Sequence, residues 1–262
     1  MAWNKRAWRV MVAGALVVTT GLASAQKLVV VADEWCPYNC QPQAKRSGYV
    51  IELLKAAFST GDVKVDYRVV PWKRALMDTR TGKAGAVIAA NDKEAAEYQL
   101  VIGKEPVGVA RGCVFVPAAS QFKYRSVQDL DRLTRVGVVG GTLYQHDFGD
   151  WLRKPENLSK IHEVFADDAS SRRVAMMMNG RLDAIFEDYT EMAFALQTKG
   201  LQSEIVSAGC QNPTPLYVAF SAKHPRVQEF AATLDSEIQK MRKTGALKKL
   251  LAPYGLEDWK AP

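Results

Sequence analysis

KLVVVADEWCPYNC, residues 27–40, opens with a continuous β-rich apolar run, Lys27 to Ala32, of the kind expected for a strand covered on both faces by helices. Gly48 then opens a helical pattern through Ile51, Leu53, Leu54, Ala57 and Phe58, and Val63 to Val70 reads as the next strand. Pro71 fits the first turn of a second helix with apolar positions at Trp72, Ala75, Leu76 and Thr79, and Gly85 to Ala90 follows as another buried strand. This β-α-β-α-β alternation, with right-handed crossovers, predicts an open, mostly parallel sheet with helices on both faces. A binding crevice is then expected beyond the carboxyl ends of its strands.

A similar unit starts again at Arg135. It reads as a strand to Val139, a turn at Gly140-Gly141-Thr142, a short helix, a helix over Ser171 to Asn179 and a strand over Asp183 to Glu187. Between the two units, Val107 to Val116 is rich in β-formers and long enough to cross from one lobe to another, and Leu216 to Ser221 can carry the chain back. Val227, Phe230, Leu234, Ile238 and Met241 keep one helical spacing, so His224 to Lys243 is predicted to be an amphipathic helix on the first lobe. The expected organisation is α/β and two-lobed: residues 26–112 with 218–262 form lobe 1, and residues 113–217 form lobe 2. The sequence has no internal repeat, low-complexity tract or long Gly/Ser linker of the kind that joins independent domains.

Residues 1–25 read as a secretory signal: Lys5, Arg6 and Arg9, then the apolar run Val10 to Leu22, then Ala23-Ser24-Ala25. That run is too short to span a hydrocarbon core of ~30 Å. The mature chain is therefore expected to begin near Gln26, in the periplasm. Its net charge falls from +7 to about +4 with the loss of three basic residues, and the remaining basic residues are interspersed with acids. No continuous basic stripe suited to nucleic acid results. Cys36, Cys40, Cys113 and Cys210 are an even set in an exported chain, which favours disulfides over a metal site. Of three possible pairings, the short loop makes Cys36–Cys40 the simplest, leaving Cys113 with Cys210.

Several stretches together resemble the family 3 solute-binding proteins, the amino-acid-type receptors of ABC transporters, whose fold is the type II periplasmic-binding-protein fold. They are Ala32 to Tyr38, Gly48 to Leu54, Trp72 through Gly82-Lys83-Ala84, Val136 to Thr142 and Gly180 to Asp188, in the family's order. The resemblance implies a ligand sandwiched by aromatic rings of the first lobe, here Trp35 and Trp72, with Tyr38 either lining the pocket or bracing the Cys36–Cys40 loop. Rings suit the task because they offer large contact area at little rotamer cost and can hold a cation over a face. It also implies backbone amides and a hydroxyl at Gly141 and Thr142 for an anionic group, although Thr142 equally suits a plain helix cap. Asp188 matches the acid that pairs with a ligand ammonium, whereas the neighbouring Glu187 is expected to be a solvated strand end. The implied partners are a small-molecule ligand and the permease of an ABC importer in the inner membrane, with the receptor a monomer that carries no cofactor.

The sequence departs from the family at one point. Members that bind α-amino acids carry a Thr followed five residues later by an Arg that clamps the carboxylate. Here Asn91-Asp92 opens the corresponding segment, with Asp92 at the Thr position and Glu97 at the Arg position. If Arg74 or Arg111 turns inward, the ligand keeps a carboxylate. If neither does, Asp92 and Asp188 with Trp35 and Trp72 form an acidic, aromatic site suited to an amine or another cationic solute. The same fold also hosts dehydratases of prephenate-like acids, but His146, His162 and His224 stand in no recognisable catalytic spacing, and no catalysis is expected. A ligand-presenting sensory partner is the third class; sensory domains normally precede a membrane helix and signalling domain, and the sequence ends at Pro262.

Overall fold

The computed structural model describes residue 1 and residues 26–140, 144, 146–165 and 169–260. Residues 2–25 of the proposed signal, Gly141, Thr142 and the His146 side chain lie outside what is described. Lobe 1 begins with β1 (Gln26–Ala32), α1 (Tyr49–Ala57), β2 (Val63–Val69), α2 (Trp72–Thr81), β3 (Ala86–Ala90), α3 (Asp92–Glu97) and β4 (Leu100–Ile102). The chain crosses through β5 (Gly108–Ala110) and β6 (Gly112–Pro117). Lobe 2 then contains β7 (Val136–Val139), α4 (His146–Leu152), β8 (Ile161–Val164), α5 (Ala169–Met178), β9 (Ala184–Asp188), α6 (Tyr189–Lys199) and β10 (Ile205–Cys210). It returns through β11 (Thr214–Ser221) to α7 (Val227–Thr244) and α8 (Ala246–Leu251).

The strand order is β2-β1-β3-β11-β4 in lobe 1 and β10-β6-β9-β7-β8 in lobe 2. Strands β1, β2 and β3 run parallel, as do β7, β8 and β9, but β11 enters the first sheet antiparallel to β3 and β4. Likewise β6 runs antiparallel to both β9 and β10. The sheets are therefore mixed rather than mostly parallel. The cause is the double crossing: each lobe accepts a strand arriving from the other, without the helical crossover that a parallel neighbour requires.

Both faces of each sheet are covered. Leu28, Val30 and Ile88 of lobe 1 pack with α1, α7 and α8 on one face, while Val31, Val87 and Ala219 pack with Ala75 and Leu76 of α2 on the other. In lobe 2, Val114, Val136 and Phe186 pack towards α4, and Cys113, Phe115 and Ile185 towards α5 and α6. Helix α7 starts at Val227, three residues later than the sequence suggests, because His224 is held in the preceding turn, its Nδ1 accepting the Arg226 N–H at 3.1 Å. Pro71 is the N-cap of α2 rather than part of its first turn.

The crossing is a two-stranded ribbon, not one continuous strand. β5 pairs antiparallel with the first residues of β11, Gly108 opposite Leu216 and Ala110 opposite Thr214. Arg111 interrupts the line between β5 and β6, and immediately beyond it Cys113 and Cys210 face each other across β6 and β10 in a disulfide.

Candidate functional site

Trp35 is fixed by the loop that follows β1. Its N–H and carbonyl exchange hydrogen bonds of 3.0 Å with those of Asn39, and the Cys36–Cys40 disulfide closes the same turn. The turn then docks on the start of α1, where the N–H groups of Tyr49 and Val50 donate to the carbonyls of Pro37 and Tyr38 at 2.9 and 3.0 Å. Gly48 makes that docking possible: its φ is +103°, and a Cβ there would stand 2.5 Å from Asn39 Cα and Tyr38 O. Tyr38 is completely buried and braces the loop. Its hydroxyl donates to Val109 O at 2.8 Å on the crossing ribbon and lies 3.3 Å from Asp188 Oδ1.

On the other side of lobe 1, the Trp72 indole N–H donates to Glu94 Oε1 at 3.1 Å. Glu94 in turn closes a capping box with Asn91, whose side chain accepts the Glu94 N–H at 2.9 Å. Asn91 therefore serves as the α3 cap, and Asp92, the first residue of that helix, is exposed. Burial pushes the Asp33 carboxyl above its ordinary range, and the nearby Glu94 charge pushes it further.

In lobe 2, Asp188 ends β9 and caps α6. Its Oδ1 accepts the N–H groups of Thr190 and Glu191 at 2.9 and 3.2 Å, and its Oδ2 accepts the Arg111 N–H at 2.9 Å. Burial raises this carboxyl to about 6 against those N–H groups, which favour the anion. The expectation for Glu187 needs correction. It is buried, not solvated, and it pairs with the fully buried Arg173 of α5. Arg173 spends its remaining donors on Phe186 O at 3.1 Å, Ala169 O at 3.3 Å and Ser170 Oγ at 3.1 Å. A strand end that would otherwise face water is covered here by the first turns of α5.

Glu191, in the first turn of α6, completes the group. Its Oε1 lies 2.9 Å from the Ser170 hydroxyl, which also lies 3.1 Å from Glu187 Oε2, and its Oε2 accepts the Trp35 indole N–H at 3.2 Å. That last bond joins the two lobes. Burial, and then the charge of Glu187, push the Glu191 carboxyl well above the usual range. Cys36 from lobe 1 and Val139, Ser170, Glu191, Phe194 and Lys199 from lobe 2 are among the residues lining a cleft of about 420 Å³.

The two arginines proposed as carboxylate clamps do not line this cleft. Arg74 is largely exposed and pairs with Asp78 one turn along α2, at 3.5 Å. Arg111 lays its guanidinium over the Tyr189 ring, 4.8 Å from the centroid, with its Nε buried and without a hydrogen-bond partner among the described residues. His162 lies in β8 and His224 at the entry to α7, neither of them on the cleft.

Glu191, Ser170 and Arg173 are the residues that sequence reasoning missed. Two signals were available. Asp188-Tyr189-Thr190-Glu191 has the spacing of an N-cap with an acid at the third helical position. Arg173 falls on the stripe Ala169, Arg173, Met177, where a cation needs a buried anion.

The raised Glu191 carboxyl has a measurable consequence. An acid whose folded pKa lies above its unfolded value favours folding at low pH, and that contribution is lost as pH rises through the folded value. The charged or polar groups facing Glu191 are Glu187 and Asp188 from β9, Ser170 and Arg173 from α5, and Trp35 from lobe 1. Between pH 5 and pH 8 the wild type is thus expected to lose Tm relative to Glu191→Gln. If the Tm of Glu191→Gln fails to rise relative to that of the wild type over that range, the assignment is wrong.

The geometry is that of a two-lobed α/β binding protein whose cleft is lined by lobe 2 and bordered by Cys36 of lobe 1; Trp35, Trp72 and Asp188 are not among its lining residues. The chain belongs to the bacterial extracellular solute-binding proteins, family 3, whose model matches residues 28–257. It is 23% identical over 229 residues to the probable amino-acid-binding protein YxeM of Bacillus subtilis (strain 168), covering 85% of this chain and 81% of that one. Its fold is similar to that of an ancestral cationic amino acid solute binding protein, with TM-score 0.67, 20% identity and coverage of 89% and 97% of the two chains. It is also similar to the unliganded open L-cystine solute receptor of Neisseria gonorrhoeae, with TM-score 0.64, 14% identity and coverage of 92% and 97%.

Proposed function

We propose that this protein is an exported receptor that captures a small polar solute, an amino acid or related amine, and delivers it to the permease of an ABC importer. Residues 1–25 serve as the export signal, and the mature chain works as a periplasmic monomer without cofactor or catalysis. The observation that supports the reading is a cleft lined by lobe 2 and bordered by Cys36 of lobe 1, between lobes that the chain links through the β5–β6 and β10–β11 crossings and that are bridged by the Trp35–Glu191 hydrogen bond and by Phe194 against Tyr254. Such a ribbon permits hinge closure: ligand binds one wall, the other folds over it, and the contacts shared by both walls hold the closed form. The transporter would then read the closed shape.

The test is a thermal-shift screen of residues 26–262 against amino acids, short peptides, polyamines, quaternary amines and organic acids. A ligand present at 100 times its Kd adds about 2.7 kcal/mol to stability, which gives a clear rise in Tm. A folded, ligand-free preparation that responds to none of these classes would overturn the proposal.

A further inference from the structure

In this family the acid at the end of the lobe-two strand, Asp188 here, is the expected partner of a ligand cation. In this chain its oxygens are already committed. Oδ1 takes two N–H groups of α6 with the Tyr38 hydroxyl nearby, and Oδ2 takes the Arg111 N–H, so the carboxylate is built into the helix cap. A ligand ammonium could reach it only by displacing bonds that hold α6 and the crossing ribbon together.

Glu191 stands differently. It lines the cleft, and its two hydrogen-bonding neighbours, the Ser170 hydroxyl and the Trp35 indole N–H, are neutral. Arg173, a cation whose charge acts on Glu191, is buried and bound to Glu187 and to two carbonyls. Glu187, Asp188 and Glu191 thus bring three carboxyl groups together beside Arg173; burial, and then this crowding, is why Glu191 holds its proton above the usual range, and a cation entering beside it would favour the ionised form. Closing a lobe over ionised Glu191 is unfavourable unless a positive charge enters with it. Lys199 lines the far end of the same cleft but is exposed in the last turn of α6, roughly 12 Å along the helix axis, where water screens it. Among the described residues no side-chain clamp for a carboxylate lines this cleft: Arg74 faces solvent with Asp78, and Asn91 and Asp92 belong to the start of α3.

We infer that Glu191, not Asp188, is the specificity-determining residue of the cleft, and that it selects solutes bearing an N–H cation, a primary ammonium or guanidinium, which replaces the Trp35 indole N–H at Glu191 Oε2. The inference rests on the receptor reading above. An N–H donor is required because that oxygen already accepts a hydrogen bond from Trp35, and a quaternary ammonium has no hydrogen to restore it. The Trp35 ring, released from the bond, remains beside the bound cation.

The experiment is isothermal titration of the mature protein with putrescine, agmatine, L-lysine and L-arginine, and with choline, glycine betaine, L-leucine and L-glutamate as contrasts. At least one of the first four is expected to bind more tightly than all of the contrasts. Glu191→Gln should weaken that binding at least tenfold, with Glu191→Asp keeping part of it. Preferred binding of a contrast compound, or loss confined to Asp188→Asn while Glu191→Gln binds like the wild type, overturns this inference and leaves the receptor reading intact. If none of the wider solute classes binds a folded, ligand-free protein, both fall.

Discussion

Replacing Arg173 by methionine is expected to destabilise the protein by about 3–5 kcal/mol, the range found when one partner of a buried ion pair is removed. Arg173 has no exposed surface, and its partner Glu187 is buried beside it. The loss is compounded because the guanidinium also satisfies the carbonyls of Phe186 and Ala169. Methionine keeps much of the volume and the helix propensity, so the change reports on charge and hydrogen bonding more than on packing. Left unpaired, Glu187 would take up a proton in the folded state, and the variant should recover stability as pH falls. Pairing Arg173→Met with Glu187→Gln should return most of the loss, since no charge is then stranded. Urea titrations of the two single variants and the double variant check this. A cost below about 1 kcal/mol for Arg173→Met at pH 8 would show that the pair is solvated after all.

The same pair marks where sequence reading stopped. Elements β1, α1, β2, α2 and β3 were legible because each carries its own period: Val30, Val31 and Ala32 form a continuous run, and Ile51, Leu54 and Phe58 recur at helical spacing. The crossing segments were legible from β-rich composition between two such units. Edge strands β4 and β8, three and four residues long, were not, because short edge strands carry little hydrophobic signal and are stabilised by one neighbour already in place. The mixed sheet order was hidden for a related reason: strand direction is decided by which lobe the chain has just left, which no local pattern records.

Trp35, Trp72 and Asp188 were picked out from motif order, but the groups each one bonds, Glu191, Glu94 and the first turn of α6, could not be. Whether Asp188 faces a ligand or caps a helix depends on the backbone direction after Tyr189, and only the fold sets that. Glu187 and Glu191 look alike in the sequence Glu187-Asp188-Tyr189-Thr190-Glu191. One faces a buried arginine and the other a cleft because strand periodicity gives way to helical periodicity between them.

Replacing both Cys113 and Cys210 by serine is expected to cost about 4–5 kcal/mol, because this disulfide joins residues 97 apart and so restricts the unfolded chain strongly. The corresponding double replacement of Cys36 and Cys40, only 4 residues apart, should cost about 2 kcal/mol on the same grounds. The larger bond also has a place in the mechanism. Cys113 lies just beyond the outgoing crossing and Cys210 just before the returning one, with Gln211 N–H donating to Gly112 O at 2.8 Å beside them. Both strands therefore leave lobe 2 from one fixed point, so in the proposed closure the bending would fall to β5, Arg111 and the start of β11. Without the bond the lobe-2 ends of the two crossings can separate, so a bound solute should dissociate faster as well as the protein unfold more easily. Denaturant midpoints of the two serine pairs, measured with stopped-flow solute release, test both parts. If the shorter-loop pair proves the costlier to stability, the entropic account fails. If release is unchanged without Cys113–Cys210, the disulfide holds lobe 2 together but does not define the hinge.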